Sequence, residues 1–274
     1  QFSLAAGGEA IVVQRASRTD PQDIGLWLLP VGEAPQPLAE GRNGGEFRVT
    51  PDGNAAAIAR GEGIALISLT DVGNPPDFLP EFGRVLAFAP DGRAAAMVDF
   101  NTEDADRRFL QTLVQFASDG RQQALLDTEG SILGCEYAPV RPLLYCALTQ
   151  VETLEASGSA VENAETDSSK NLAEELPDIA AITPETYAER PYLAAIALDS
   201  GDITSIPLPP GSRDVSFSLS PDGLALLFDR LPGEDDLSLR PETNDEATKL
   251  WLWLPSTGEP ETIPLQGRQP QWLP

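Results

Sequence analysis

Histidine is absent from the 274 residues. That removes Ser-His-Asp and Cys-His nucleophile pairs, histidine zinc sites and the commonest general base. The two cysteines, Cys135 and Cys146, have ten residues between them and do not make a structural zinc site. Two lysines, Lys170 and Lys249, stand in an acidic stretch and beside a strand start, positions that do not suggest a Schiff base. Gly41–Gly45 and Gly61–Gly63 read as short turns rather than phosphate loops. No cofactor is expected.

Carboxylates remain, 43 Asp and Glu against 18 Lys and Arg. Glycoside hydrolysis needs two of them at a fixed separation, one with a raised pKa. Glu46, Glu136 and Asp214 are candidates, because each falls on a run that reads as the first strand of a repeat. Glu136 aligns with Arg48 when those runs are superimposed, so a structural ion pair across a narrow channel competes with a catalytic role. Glu103, Asp104 and Asp106, and likewise Glu234, Asp235 and Asp236, offer hard oxygen ligands for calcium. Neither set has the spacing of a dedicated calcium loop, and both read as solvated. Trp251 and Trp253 alternate with Leu, and Trp27 occupies the equivalent run of the first repeat, which favours packing over a sugar platform.

The elements that must position these residues repeat along the chain. Phe217–Arg230 reads FSLSPDGLALLFDR: an alternating apolar run, a Ser-Pro-Asp-Gly corner, and a second apolar run. Proline presets φ at the first corner, aspartate bonds its own backbone, and glycine accepts positive φ, so a hairpin is expected. Phe47–Arg60 (FRVTPDGNAAAIAR) and Leu86–Phe100 (LAFAPDGRAAAMVDF) repeat the unit. Cys135–Gln150 keeps its length with Val-Arg in place of Asp-Gly, and Phe2–Arg15 keeps the opening stretch. Two residues before the turn proline stand Val49, Phe88, Tyr137, Leu219 and Trp272, with small or polar residues one position earlier. This period of two buries one face more deeply than the other. A third run follows each hairpin (Gly25–Pro30, Ile64–Thr70, Leu110–Ala117, Tyr192–Leu198, Leu250–Leu254), and then a short fourth run. Four strands in about 40 to 50 residues, repeated, predict an all-β propeller of four-stranded antiparallel blades.

The unit resembles the TolB-type, WD-like propeller repeat, whose hallmark is an aromatic-Ser-Pro-Asp-Gly turn between the first two strands of a blade. It is similar, more loosely, to envelope proteins of cyanobacteria built from such repeats. The resemblance covers nearly all of the chain outside 151–189, and it implies a fold rather than an activity. A single domain over 1–274 is expected, with blades at about 1–40, 41–80, 81–130, 131–211 and 212–267 and a closing strand at 269–273. Five blades with the chain ends meeting are favoured, with six, or five and an extra strand, as the alternative. The segment 151–189 carries ten acids and one lysine and reads as a solvated, mostly disordered loop. It joins the second and third strands of its blade, as do the acidic stretches 101–108 and 233–246, so all three should leave one face.

Counting through the turn places Cys135 opposite Cys146. Opposed β-carbons lie about 4.5–5.5 Å apart, adjustable to a disulfide, which would mark an oxidising compartment. Reduced, core-packed cysteines are the alternative. A start at Gln1 reads as a processed or truncated product. No apolar run approaches the ~20 residues of a membrane span, and a net charge of −25 disfavours nucleic acid and anionic lipid. The chain is therefore expected to be a non-enzymatic, extracytoplasmic scaffold that binds a protein, one with a basic surface, as part of a longer envelope protein. A glycosidase using Glu46, Glu136 and Asp214 is the second reading, and a structural domain without a ligand of its own is the third.

Overall fold

The structure is a computed structural model that describes residues 2–4, 9–17, 19–20, 24–39, 47–60, 63–75, 77–79, 83–99, 111–117, 121–154, 186–211, 215–230 and 248–272. Within them the Pro-Asp-Gly corners fold as their chemistry requires. Gly53, Gly92 and Gly223 take φ of 68°, 84° and 70°, where a β-carbon would be strained. In the last of these turns the Gly223 N–H donates to Ser220 O at 2.8 Å and the Leu224 N–H to Asp222 Oδ1 at 3.0 Å. The Thr50 turn repeats this with Asp52, which accepts from the Asn54 N–H.

The strands so joined form five four-stranded antiparallel sheets, each in chain order. The first holds β1 (Phe2–Leu4), β2 (Ala10–Ala16), β3 (Ile24–Pro30) and β4 (Gln36–Ala39). The second holds β5 (Phe47–Val49), β6 (Ala55–Arg60), β7 (Gly63–Ser68) and β8 (Asp77–Leu79). The third holds β9 (Gly83–Phe88), β10 (Ala94–Asp99), β11 (Gln111–Phe116) and β12 (Gln122–Thr128). The fourth holds β13 (Ile132–Tyr137), β14 (Leu143–Leu154), β15 (Thr186–Ala197) and β16 (Ile203–Ile206). The fifth holds β17 (Phe217–Leu219), β18 (Leu226–Arg230), β19 (Lys249–Trp253) and β20 (Pro260–Gln266).

Consecutive sheets stack face to face through separate cores. Val12, Leu26 and Leu28 of the first sheet meet Phe47, Ile58 and Ile67 of the second. Ala57 and Ile64 of the second meet Val85, Ala96 and Val114 of the third. Leu86 and Leu113 meet Ile132, Leu144 and Ile196, and Tyr145 and Leu193 meet Leu226 and Phe228. Each large aliphatic or aromatic side chain so buried contributes about 1.5–3 kcal/mol. Alanine at 55–57, 59 and 94–96 keeps the second strands thin enough for both faces to be covered. Trp251 and Trp253 pack against the last of these cores, with Trp253 edge-on to Tyr145 at 6.5 Å.

Two stretches depart from expectation. The β14–β15 ladder runs on from Gln150↔Arg190 to Leu154↔Thr186, so both ends of the expected loop 151–189 are strand, and residues 155–185 lie outside the described residues. The backbone pairs satisfy each other across the ladder without any apolar alternation at Val-Glu-Thr-Leu. The tail expected as a closing strand at 269–273 carries no strand over 269–272, and β1 keeps its place beside β2. The physical cause is Asp229: its Oδ2 accepts the Gln269 N–H at 2.7 Å while its Oδ1 accepts the Ser216 N–H at 2.7 Å. Gln269 is thereby held at φ 52°, and Pro270 has no N–H to offer a ladder.

Candidate functional site

The first strands of all five sheets surround one cavity of about 1010 Å³. Ser3, Arg48, Ala87, Glu136 and Ser218 represent β1, β5, β9, β13 and β17 in its wall, and Gln269–Trp272 complete it. A second cavity, about 350 Å³, shares Arg48, Cys135, Glu136 and Gln269 and reaches Leu133, Gly134 and Val215 at the starts of these strands. Arg48 and Glu136 thus stand at the waist of an axial passage. The larger space opens toward the Pro-Asp-Gly turns. The smaller opens toward the rim from which the second-to-third strand connections leave.

Charged groups on three inner strands tie each to the backbone of the next, β5 to β9, β9 to β13 and β13 to β17. Arg48 on β5 donates from Nε to Leu86 O on β9 at 2.9 Å, and from Nη1 to its neighbour Phe47 O at 3.2 Å. Arg84 on β9 donates from Nη2 to Ile132 O on β13 at 3.0 Å. Glu136 on β13 accepts the Leu219 N–H of β17 on Oε2 at 2.7 Å. Trp272 donates from Nε1 to Ser218 O at 3.0 Å. Bonds to a charged partner are the stronger kind, and here they replace the pairing that separate sheets cannot give one another.

Burial pushes the Glu136 carboxyl up to about 7, against the Leu219 N–H and the Arg48 guanidinium, which both favour its charged form. Burial also lowers Arg48, with Glu136 pulling the other way. The two are electrostatically coupled, yet each is bonded to backbone of the following sheet. Burial raises the Tyr137 phenol as well, and the Arg93 guanidinium lies over its ring at 5.7 Å.

Of the three carboxyls that could share an acid–base task, Glu136 alone falls within the described residues; Glu46 and Asp214 lie outside them, as do Glu103, Asp104, Asp106, Glu234, Asp235, Asp236 and Lys170. Lys249 begins β19 and is exposed. Among the described residues no three acids or cysteines are grouped to hold a metal ion, and no helix is long and apolar enough to cross a membrane. Cys135 and Cys146 pair in register and form a disulfide, with α-carbons 4.1 Å apart. Sequence reasoning passed over Arg84 and Asp229. Both bond backbone groups of neighbouring segments, and such partners have no signature in a sequence.

No protein family and no curated protein matches the sequence. Solved structures do match its shape. Oligogalacturonate lyase in complex with manganese is 12% identical with a TM-score of 0.50, over 96% of this chain and 71% of that one. TolB from Acinetobacter baumannii is 16% identical with a TM-score of 0.43, over 97% and 66%. Hydrazine synthase from Kuenenia stuttgartiensis is 12% identical with a TM-score of 0.49, over 98% and 83%. The chain is an all-β propeller of four-stranded antiparallel sheets, a fold it shares with these structures. At such identities the likeness shows fold alone.

Proposed function

We propose that this chain is a non-enzymatic, extracytoplasmic propeller that holds a protein partner on the rim bearing its acidic connections. The observation that carries the reading is topological. Strand ends Asp99 and Gln111, Leu154 and Thr186, and Arg230 and Lys249 are the attachment points of three acid-rich connections, and antiparallel pairing sets each pair of ends at the second-to-third strand side of its sheet. Residues 155–185 alone hold eight acids and one lysine. A field of that sign steers a basic surface toward the rim. The disulfide fits an oxidising compartment. The one axial carboxyl described is spent on a backbone N–H of the next sheet, which favours a frame over a catalyst.

Photo-crosslinkers placed at Lys249 and Glu129, on this rim, and at Val31 and Val140, exposed at the opposite turns, test the proposal in intact cells. One discrete protein adduct from the first pair, absent from the second and suppressed by 0.5 M salt, is the expected result. Absence of rim adducts, together with turnover of a glycoside by the purified chain that is lost in Glu136→Gln, would reverse it.

A further inference from the structure

The larger axial cavity, at about 1010 Å³, has the size of a small-molecule site, about 300–1,000 Å³. The frame does not use up the polar groups in its wall. Glu136 gives Oε2 to the Leu219 N–H. Its Oε1 accepts no hydrogen bond among the described residues and is not sealed from solvent. Trp272 is fixed close by. Its Nε1 donates to Ser218 O at 3.0 Å, yet the residue stays 37% exposed and lines the cavity. Ser218 O and the Leu219 N–H belong to one peptide group of β17, so indole and carboxyl are pinned to the same unit. Trp272 Nε1 and Glu136 Oε2 therefore lie no more than about 8 Å apart.

The wall also sets the charge of what it can hold. Arg48 and Glu136 supply one charge of each sign, and the rest of the lining is uncharged. A cationic ligand would meet the Arg48 guanidinium. An anionic one would meet Glu136 and the field of a chain carrying a net charge of −25. Ser3, Ser216, Ser218, Gln269 and Gln271 add hydroxyls and amides that both donate and accept. An apolar ligand would leave these groups unpaired. The fit is to a neutral molecule with hydrogen-bonding groups around its edge and one apolar face.

We infer that the larger axial cavity binds a neutral saccharide, with Trp272 as the platform under one face of a sugar ring and Glu136 Oε1 as the acceptor for a ring hydroxyl. A pyranose has both parts. Its axial C–H groups make an apolar face that lies on an aromatic ring, and its hydroxyls donate and accept all round the edge. A hydroxyl that donates to an ionised carboxyl makes the stronger, charge-assisted kind of bond. The inference goes beyond the protein-binding reading and uses a different surface, since this cavity opens toward the Pro-Asp-Gly turns.

Trisaccharides of matched length and different charge test this by calorimetric titration into the purified full chain. Cellotriose, maltotriose and triacetylchitotriose are the neutral probes, the glucosamine trimer the cationic one and trigalacturonate the anionic one. Saturable binding of at least one neutral probe, one per chain, is expected, at least tenfold tighter than either charged probe and with the sugar recovered intact. Trp272→Ala removes the platform and should weaken it at least tenfold. Glu136→Gln should do the same, because the Leu219 N–H claims the amide oxygen and turns the NH2 toward the cavity, a donor where Oε1 accepted. That variant keeps the bond to β17, so the test survives if Trp272→Ala loosens the tail, which circular dichroism would show. No binding of any neutral probe up to 10 mM, or binding that both variants leave unchanged, would overturn the inference. So would equal or tighter binding of a charged probe, or cleavage of a bound one. Rim crosslinks at Lys249 and Glu129 are independent of these titrations, so either can fail while the other stands.

Discussion

A carboxyl held above its ordinary pKa beside a guanidinium marks many active sites, and Glu136 has that mark with its Oε2 already bonded to Leu219. The same shift makes it a stability element with a defined sign. Its folded pKa of about 7 exceeds the ordinary 4.5, so between those values the folded chain keeps a proton that the unfolded chain releases. The stability it contributes is fully present below pH 4.5, falls as pH rises through 7, and is flat above. Glu136→Gln keeps an acceptor for Leu219 and removes the titration. Between pH 4.5 and 8 the variant should therefore gain on the wild type by on the order of 3 kcal/mol. Urea midpoints at the two pH values measure this, and parallel profiles for the two proteins would contradict it. The Arg48–Glu136 coupling was legible in the sequence because both residues fall three positions before a turn proline. Their actual bonds were not, since backbone atoms of the neighbouring sheet accept from one and donate to the other.

Among the elements, hairpins were the most legible. Pro-Asp-Gly chemistry and the period of two fix turn, register and face together, down to Cys135 opposite Cys146. Legibility failed where the strands carry no apolar alternation, at Val151–Leu154 and Thr186–Glu189. It failed also at the tail, where QPQWLP copies the opening half of a repeat but Asp229 captures its backbone first. Asp229 is buried and joins Ser216 of the chain before β17 to Gln269 after β20. Asp229→Ala removes both acceptors and should release the tail. Limited proteolysis with mass readout is expected to cut within 267–272 at least tenfold faster in the variant, with a drop in stability of about 2–3 kcal/mol for two lost charge-assisted bonds. Unchanged cleavage would show that Pro270 and Trp272 hold the tail without it.

Over the whole molecule, five sheets share an axis because four consecutive pairs bury faces against each other and because charged side chains bridge the inner strands β5 to β9, β9 to β13 and β13 to β17. The architecture was legible from the repeats, since a sheet of four short strands cannot bury both faces alone. How the last sheet meets the first was not, because QPQWLP copies an opening strand yet forms none over 269–272. The central claim is that the axial charges belong to this frame, and the amide of Leu219 reports on it directly. Its N–H donates to Glu136 across the boundary between the fourth and fifth sheets. Hydrogen exchange at that single amide should be protected at least a hundredfold in the wild type and should accelerate at least tenfold in Glu136→Ala, with Phe228 in the adjoining core unaffected. An unprotected Leu219 amide, or one whose exchange ignores the substitution, would contradict the account.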